Sequence, residues 1–264
     1  MAEYEVVHVA IAPPATLEEE LIKKVAAIIA KNPYETRLRL AGKIPKIIAN
    51  YATMQMAEST ARSLRELGLV AIVCTDSELR KYSPRYKAHT LKLEEQAVLF
   101  WDRIGQERRR ESSEVFLIIS GRMQTYTETE VTTTARKLNV AATLLTGGIP
   151  ITKKVKEKTT DKSYQTESFV RLYGQASSEP IVEILQHDFD YSFLESEMAS
   201  SSVANFSTTV KKIRGAFPQA IFDDRLVEPF GANIPATMPQ DNIEINCKLI
   251  YFYHRTMSGL GSSV

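Results

Sequence analysis

The chain changes character at Ser83-Pro84, and that change limits what it can fold into. Before it, apolar residues recur at helical spacing between two short strand-like runs. After it, β-branched and aromatic runs alternate with turn residues. A helical period and a strand period bury different faces, so two folding units are expected. Residues 1–83 read as a small α/β domain with one sheet and three helices. Residues 84–255 read as a β-rich barrel or sandwich with one late amphipathic helix near residues 203–217, and residues 256–264 as a frayed tail. The class is α+β.

The first unit opens with a strand at Val6, Val7, His8, Val9, Ala10 and Ile11, closed by Pro13 and Pro14, which donate nothing to a ladder. Thr16 stands where an N-cap is needed, with Glu18, Glu19 and Glu20 following it. Leu21, Val25, Ile28 and Ile29 make one helical stripe, and Asn32-Pro33 breaks it. Leu38, Ala41, Ile44 and Ile48 suggest a second helix, kinked near Lys43 by Gly42 and Pro45. Thr53 caps a third, carrying Met56, Ala57, Ala61, Leu64 and Leu67, with Gly68 as its stop. Residues 70–73 are a compact last strand. The order is strand, helix, helix, strand or coil, helix, strand, and one sheet with helices over one face accommodates it.

In element order this stretch resembles the C-terminal domain of the bacterial ribosomal stalk protein. The likeness rests on Glu19-Glu20-Leu21-Ile22-Lys23-Lys24-Val25, on Leu40-Ala41-Gly42-Lys43-Ile44-Pro45, and on Ala57-Glu58 followed by Leu64-Arg65-Glu66-Leu67-Gly68. It covers less than a third of the chain. Asn32-Pro33-Tyr34-Glu35 replaces the family's glycine-rich, lysine-containing link, so the resemblance implies topology and transfers no functional residue.

In the second unit, short strands are expected at Leu91 and Leu93, at residues 98–101, 115–119 and 123–131, and as a pair at 169–173 and 181–185. Phe206, Val210, Ile213 and Phe217 then recur at helical spacing, ended by Gly215 and Pro218. A β-meander followed by one helix looks like a pleckstrin-homology-type barrel, a family that mostly binds phosphoinositides or peptides. Residues 243–253 read as a further strand, residues 229–239 as irregular.

Composition narrows the function. Thirty-three basic and 32 acidic side chains leave a net charge of +1, which argues against nucleic acid as a partner. Cys74 and Cys247 read as small buried strand residues, with neither a disulfide framework nor zinc spacing. The acidic N-terminus lacks a signal-peptide core and no apolar run reaches bilayer length, so a cytoplasmic protein is expected.

Two constellations stand out as sites. Gly147 and Gly148 free the backbone to present amides, and Lys153, Lys154, Lys156 and Lys158 add a positive field for phosphate or an acidic lipid headgroup. The P-loop spacing is absent, and residues 143–162 equally describe a solvated loop. His187, Asp188 and Asp190 offer acid–base or metal chemistry. On a strand, however, the histidine faces away from both carboxylates, and a polar turn explains the same residues. Asp223-Asp224-Arg225 reads as a local ion pair, His8 as a histidine tolerated at a sheet edge, and Arg108, Arg109 and Arg110 as a solvated hairpin arm. No catalytic residue, metal or cofactor is assigned. The leading expectation is a non-enzymatic protein-binding or scaffold protein, possibly self-associating. The alternatives are an anion-binding module for phospholipid or phosphorylated ligand, and an enzyme with an unfamiliar site at His187.

Overall fold

A computed structural model describes residues 5–138, 152–227 and 238–259. The first elements follow the expected order: β1 (Val7–Ile11), α1 (Glu19–Ile28), α2 (Pro33–Leu40), β2 (Lys46–Tyr51), α3 (Met54–Glu66) and β3 (Ala71–Thr75). Local chemistry sets several of their ends. Asn32 Oδ1 accepts the Glu35 N–H at 2.7 Å, with Pro33 at the first helical position of α2. Thr53 caps α3, and Gly68 at φ +79° leaves it, a backbone region that glycine enters at little cost. The expected cap at Thr16 is not used: α1 begins at Glu19, and its N-cap Glu18 makes no side-chain bond.

Two further expectations for this region are corrected. The second helix stops at Leu40, and Lys46–Tyr51, expected as its continuation through Ile48, is strand β2. Pro45 cannot continue the α2 ladder, and the residue before a proline is pushed toward extended backbone. The sheet, ordered β2-β1-β3 and antiparallel throughout, is also covered on both faces rather than one. Val7, Val9 and Ile11 pack with Ile22, Val25 and Leu64 of the helices. On the opposite face, Ala10, Ile72 and Cys74 meet Leu79 and, from far along the chain, Leu249. His8 is therefore buried on a central strand, not at an edge, with Asn50 Oδ1 at 2.9 Å from its Nδ1 and Asp76 Oδ1 at 3.0 Å from its Nε2.

After the short helix α4 (Asp76–Arg80), β4 (Thr90–Leu93), β5 (Ala97–Trp101) and β6 (Glu107–Glu111) form an antiparallel meander. Arg108, Arg109 and Arg110 are thus residues of its edge strand, where charge discourages further pairing. Then come β7 (Leu117–Leu138), β8 (Thr152–Tyr173), β9 (Val182–Leu185), α5 (Ser202–Ala216), β10 (Ile221–Leu226), β11 (Met238–Pro239) and α6 (Gln240–Met257). The sheet order is β10-β7-β8-β9, with β10 parallel to β7 and β9 antiparallel to β8. The expected pairing of residues 169–173 with 181–185 is present, from Phe169 opposite Leu185 to Leu172 opposite Val182. The class is α+β, and the described residues form no closed barrel.

The expected strand at residues 243–253 is helix α6. Its Ile243, Cys247, Ile250 and Tyr251 pack under Leu117, Ile119 and Phe169 of the larger sheet. Its Leu249 reaches the smaller sheet. Cys247 is accordingly a helix residue. The other face of the larger sheet carries Ile118, Val170 and Ile184 against Phe206 and Ile213 of α5, against Phe217 at its C-cap, and against the meander. Gly121 sits where a Cβ would fall 2.6 Å from the Phe169 ring and 2.8 Å from Leu226, so no other residue fits without displacing them.

Contacts divide the chain into two units, one of Met1–Met123 with Glu167–Val264 and the other of Gln124–Thr166. The described residues of the smaller unit belong to β7 and β8. No described helix is long and apolar enough to cross a membrane.

Candidate functional site

Strand parity builds a face. On β7, Leu117 and Ile119 point to α6 while Ile118 points to α5, so Ser120 and Arg122 share the α5 face. By the same alternation Ser168 on β8 and Phe222 and Asp224 on β10 join them. From α5, Phe206 and Val210 face the sheet. The following residues, Ser207, Lys211 and Arg214, lie on the neighbouring stripe of the helix. These groups enclose a cleft of about 420 Å3. Phe206, Val210 and Phe222 supply its apolar wall, and the Arg214 guanidinium stacks 4.9 Å over the Phe222 ring.

The residues singled out in the sequence lie elsewhere. Gly147 and Gly148 fall outside the described residues. Lys153, Lys154, Lys156 and Lys158 belong to β8, so the expected loop over residues 143–162 is strand from Thr152 onward. His187 and Asp188 lie in the turn after β9 rather than on a strand. The His187 N–H donates to Glu167 Oε1 at 3.1 Å. The Asp188 carboxylate pairs with Arg103, and the Asp188 carbonyl meets His89 Nδ1 at 2.6 Å. Asp190 accepts from the Ser192 N–H at 3.0 Å and from its hydroxyl at 2.8 Å, which holds the carboxyl below its usual range. These bonds fasten the turn.

One polar cluster is not legible in the sequence, and a second is legible only in part. In the first, Arg171 of β8 donates to Glu244 of α6 through both terminal nitrogens, at 2.7 and 3.0 Å, and through Nε to Glu183 of β9 at 2.8 Å. Arg85 bonds the same two carboxylates, and the Cys247 sulfur lies 3.3 Å from Arg171. Arg171, Glu183 and Glu244 are almost wholly buried. Burial raises the Glu244 pKa, and the guanidinium groups of Arg171 and Arg85 more than reverse this, leaving it below the usual carboxylate range. Lys248, one helical turn on, is held by Glu179 at 2.7 Å and by the carbonyls of Glu78 and Lys81. The available signal was a charge inside each apolar run: Val170-Arg171-Leu172, Val182-Glu183-Ile184 and Ile243-Glu244-Ile245.

In the second cluster, Asp223 takes Arg225 Nε at 2.9 Å and His254 Nε2 at 2.7 Å. Its carboxyl is driven far below the usual range: burial opposes this, and the bonds from His254 and Arg225 overcome it. The Asp223–Arg225 pair was legible from their spacing, whereas His254 was not. Burial pushes the Cys74 thiol up to about 12, helped by Glu78 and Asp76, so it is inert as a nucleophile near neutral pH. Among the described residues no group of three or more His, Cys, Asp or Glu side chains could hold a metal ion.

Comparison of the chain with family models, with curated proteins and with solved structures returns no match.

Proposed function

We propose that this chain is a non-enzymatic protein-binding or scaffold protein that associates through the strand pair of residues 124–138 of β7 and 152–166 of β8. The observation that carries this reading is length. β7 and β8 each run for 22 residues, against the 3–10 usual in globular proteins. The ladder of β9 on β8 covers only Phe169–Leu172. Residues 152–166 of β8 therefore have no described strand other than β7 beside them. At roughly 3.3 Å per residue that is an edge about 50 Å long. An unpaired edge presents a row of N–H and C=O groups that a strand from another chain can complete, and β-augmentation is an established mode of protein recognition. A second copy of this chain is the simplest partner, because it carries the same edge.

Native mass spectrometry of the intact chain, beside a variant in which residues 124–166 are replaced by a short turn, tests the proposal. The intact chain should appear as a homomer or with a co-purified protein, and the shortened chain as a monomer with an unchanged melting temperature. A lone intact monomer with no partner in lysate, or assembly that survives the deletion, would refute it.

A further inference from the structure

We propose that the cleft between α5 and the β10-β7-β8 face binds a small phosphate monoester whose body is apolar. Three observations converge there. First, the cations outnumber the acids: Arg122 from the sheet and Lys211 and Arg214 from the helix stand against Asp224 alone. None of the three forms an ion pair among the described residues; Arg214 only stacks on Phe222. A surplus of two positive charges on facing elements matches the charge of about −1.5 to −2 that a phosphate monoester carries near pH 7. Arginine can also hold a phosphoryl group through two parallel N–H bonds.

Second, three hydroxyls lie among those cations. Ser120, Ser168 and Ser207 line the cleft and make no side-chain hydrogen bond among the described residues. Ser120 is only 6% exposed. A serine hydroxyl that no protein group engages can donate to a ligand oxygen. Third, the cleft has an apolar wall. Phe206, Val210 and Phe222 pack beside the polar groups, and at about 420 Å3 the space lies within the range of small-molecule sites. Inorganic phosphate would use the cations and hydroxyls but leave that wall wet. An aryl or alkyl body on the phosphate covers it. This proposal is independent of the strand pair and of the lysines on β8.

Titration calorimetry of the full chain at low salt with phenyl phosphate, inorganic phosphate and phenol is the test. Phenyl phosphate should bind at least tenfold more tightly than either of the others. The double variant Lys211→Gln, Arg214→Gln, both exposed positions, should weaken it at least tenfold without moving the melting temperature. Backbone NMR shifts on the unmodified chain give a readout that no substitution can disturb, and should change at residues 120–122, 168 and 207–214. Equal binding of inorganic phosphate, unchanged affinity in the variant, or shifts confined to another surface would overturn the proposal. So would a phosphoserine peptide or an anionic-phospholipid vesicle binding where phenyl phosphate does not.

Discussion

Helices α5 and α6 lie on opposite faces of the same sheet, yet only α5 was legible as a helix. α5 has one covered side. Its Phe206 and Ile213, with Phe217 at its C-cap, face the sheet, while Val203, Lys211 and Arg214 are exposed, so apolar residues recur at the helical period. α6 lies between two sheets. Ile243, Cys247 and Ile250 meet one, and Leu249 meets the other. Ile243, Ile245, Cys247, Leu249 and Tyr251 then alternate by two, which imitates a strand. A sequence period reports how many sides of an element are covered as much as which element it is.

The comparison is most easily broken at the charges inside α6. Removing one member of a buried, hydrogen-bonded ion cluster strands the others, at a cost of about 3–5 kcal/mol. Arg171→Met and Glu244→Gln should each lower the unfolding free energy by an amount of that order, measured by urea denaturation followed by circular dichroism. A loss under about 1 kcal/mol would mean the cluster is open to water. Next comes apolar packing. Leu249→Ala on α6 and Ile213→Ala on α5, both buried, should each cost about 2–5 kcal/mol. Equal losses would show that both helices are docked, although only one has a helical signature.

Acid provides a third test. The carboxyls of Asp223 and Glu244 sit below their usual ranges in the folded chain. Their contribution is present above the unfolded values, about 3.9 for Asp and 4.3 for Glu, and is lost as pH falls through the folded ones. Stability should therefore decline as pH falls below about 4. Asp223→Asn should flatten that decline while lowering stability at neutral pH, and chemical denaturation from pH 2 to 7 reads both. Gly121→Ala forces a methyl toward the Phe169 ring, and overpacking of this kind typically costs about 1–3 kcal/mol. The smallest effect belongs to the open side of α5. Val203→Ser should stay within about 0.5 kcal/mol, as exposed positions usually do, whereas no equally exposed position occurs among residues 243–256 of α6.

The order of the first six elements was readable because caps and stops are local. Asn32-Pro33, Thr53 and Gly68 act on their own neighbours. The error at Lys46–Tyr51 came from a helical spacing, Leu38-Ala41-Ile44-Ile48, that Pro45 interrupts. The second covered face of the small sheet was not readable, because its cover is supplied by Leu249. The cleft was hidden for the same reason. Ser120 and Arg122, Ser168, the α5 residues and Phe222 come from four separated stretches. The sequence candidates at residues 147–158 and 187–190 were each a cluster along the chain. Strand alternation around Ile118 and Ser120 held the information, but it becomes usable only once α5 and α6 are placed on their faces.

Hydrogen exchange along α6 tests the central claim most directly. A helix covered by two sheets and tied by Glu244 and Lys248 should open only when the molecule unfolds, so amides of residues 244–254 should exchange as slowly as those of β1 and of residues 117–121. Exchange of these amides at the rate of a fraying terminus, with β1 still protected, would contradict it.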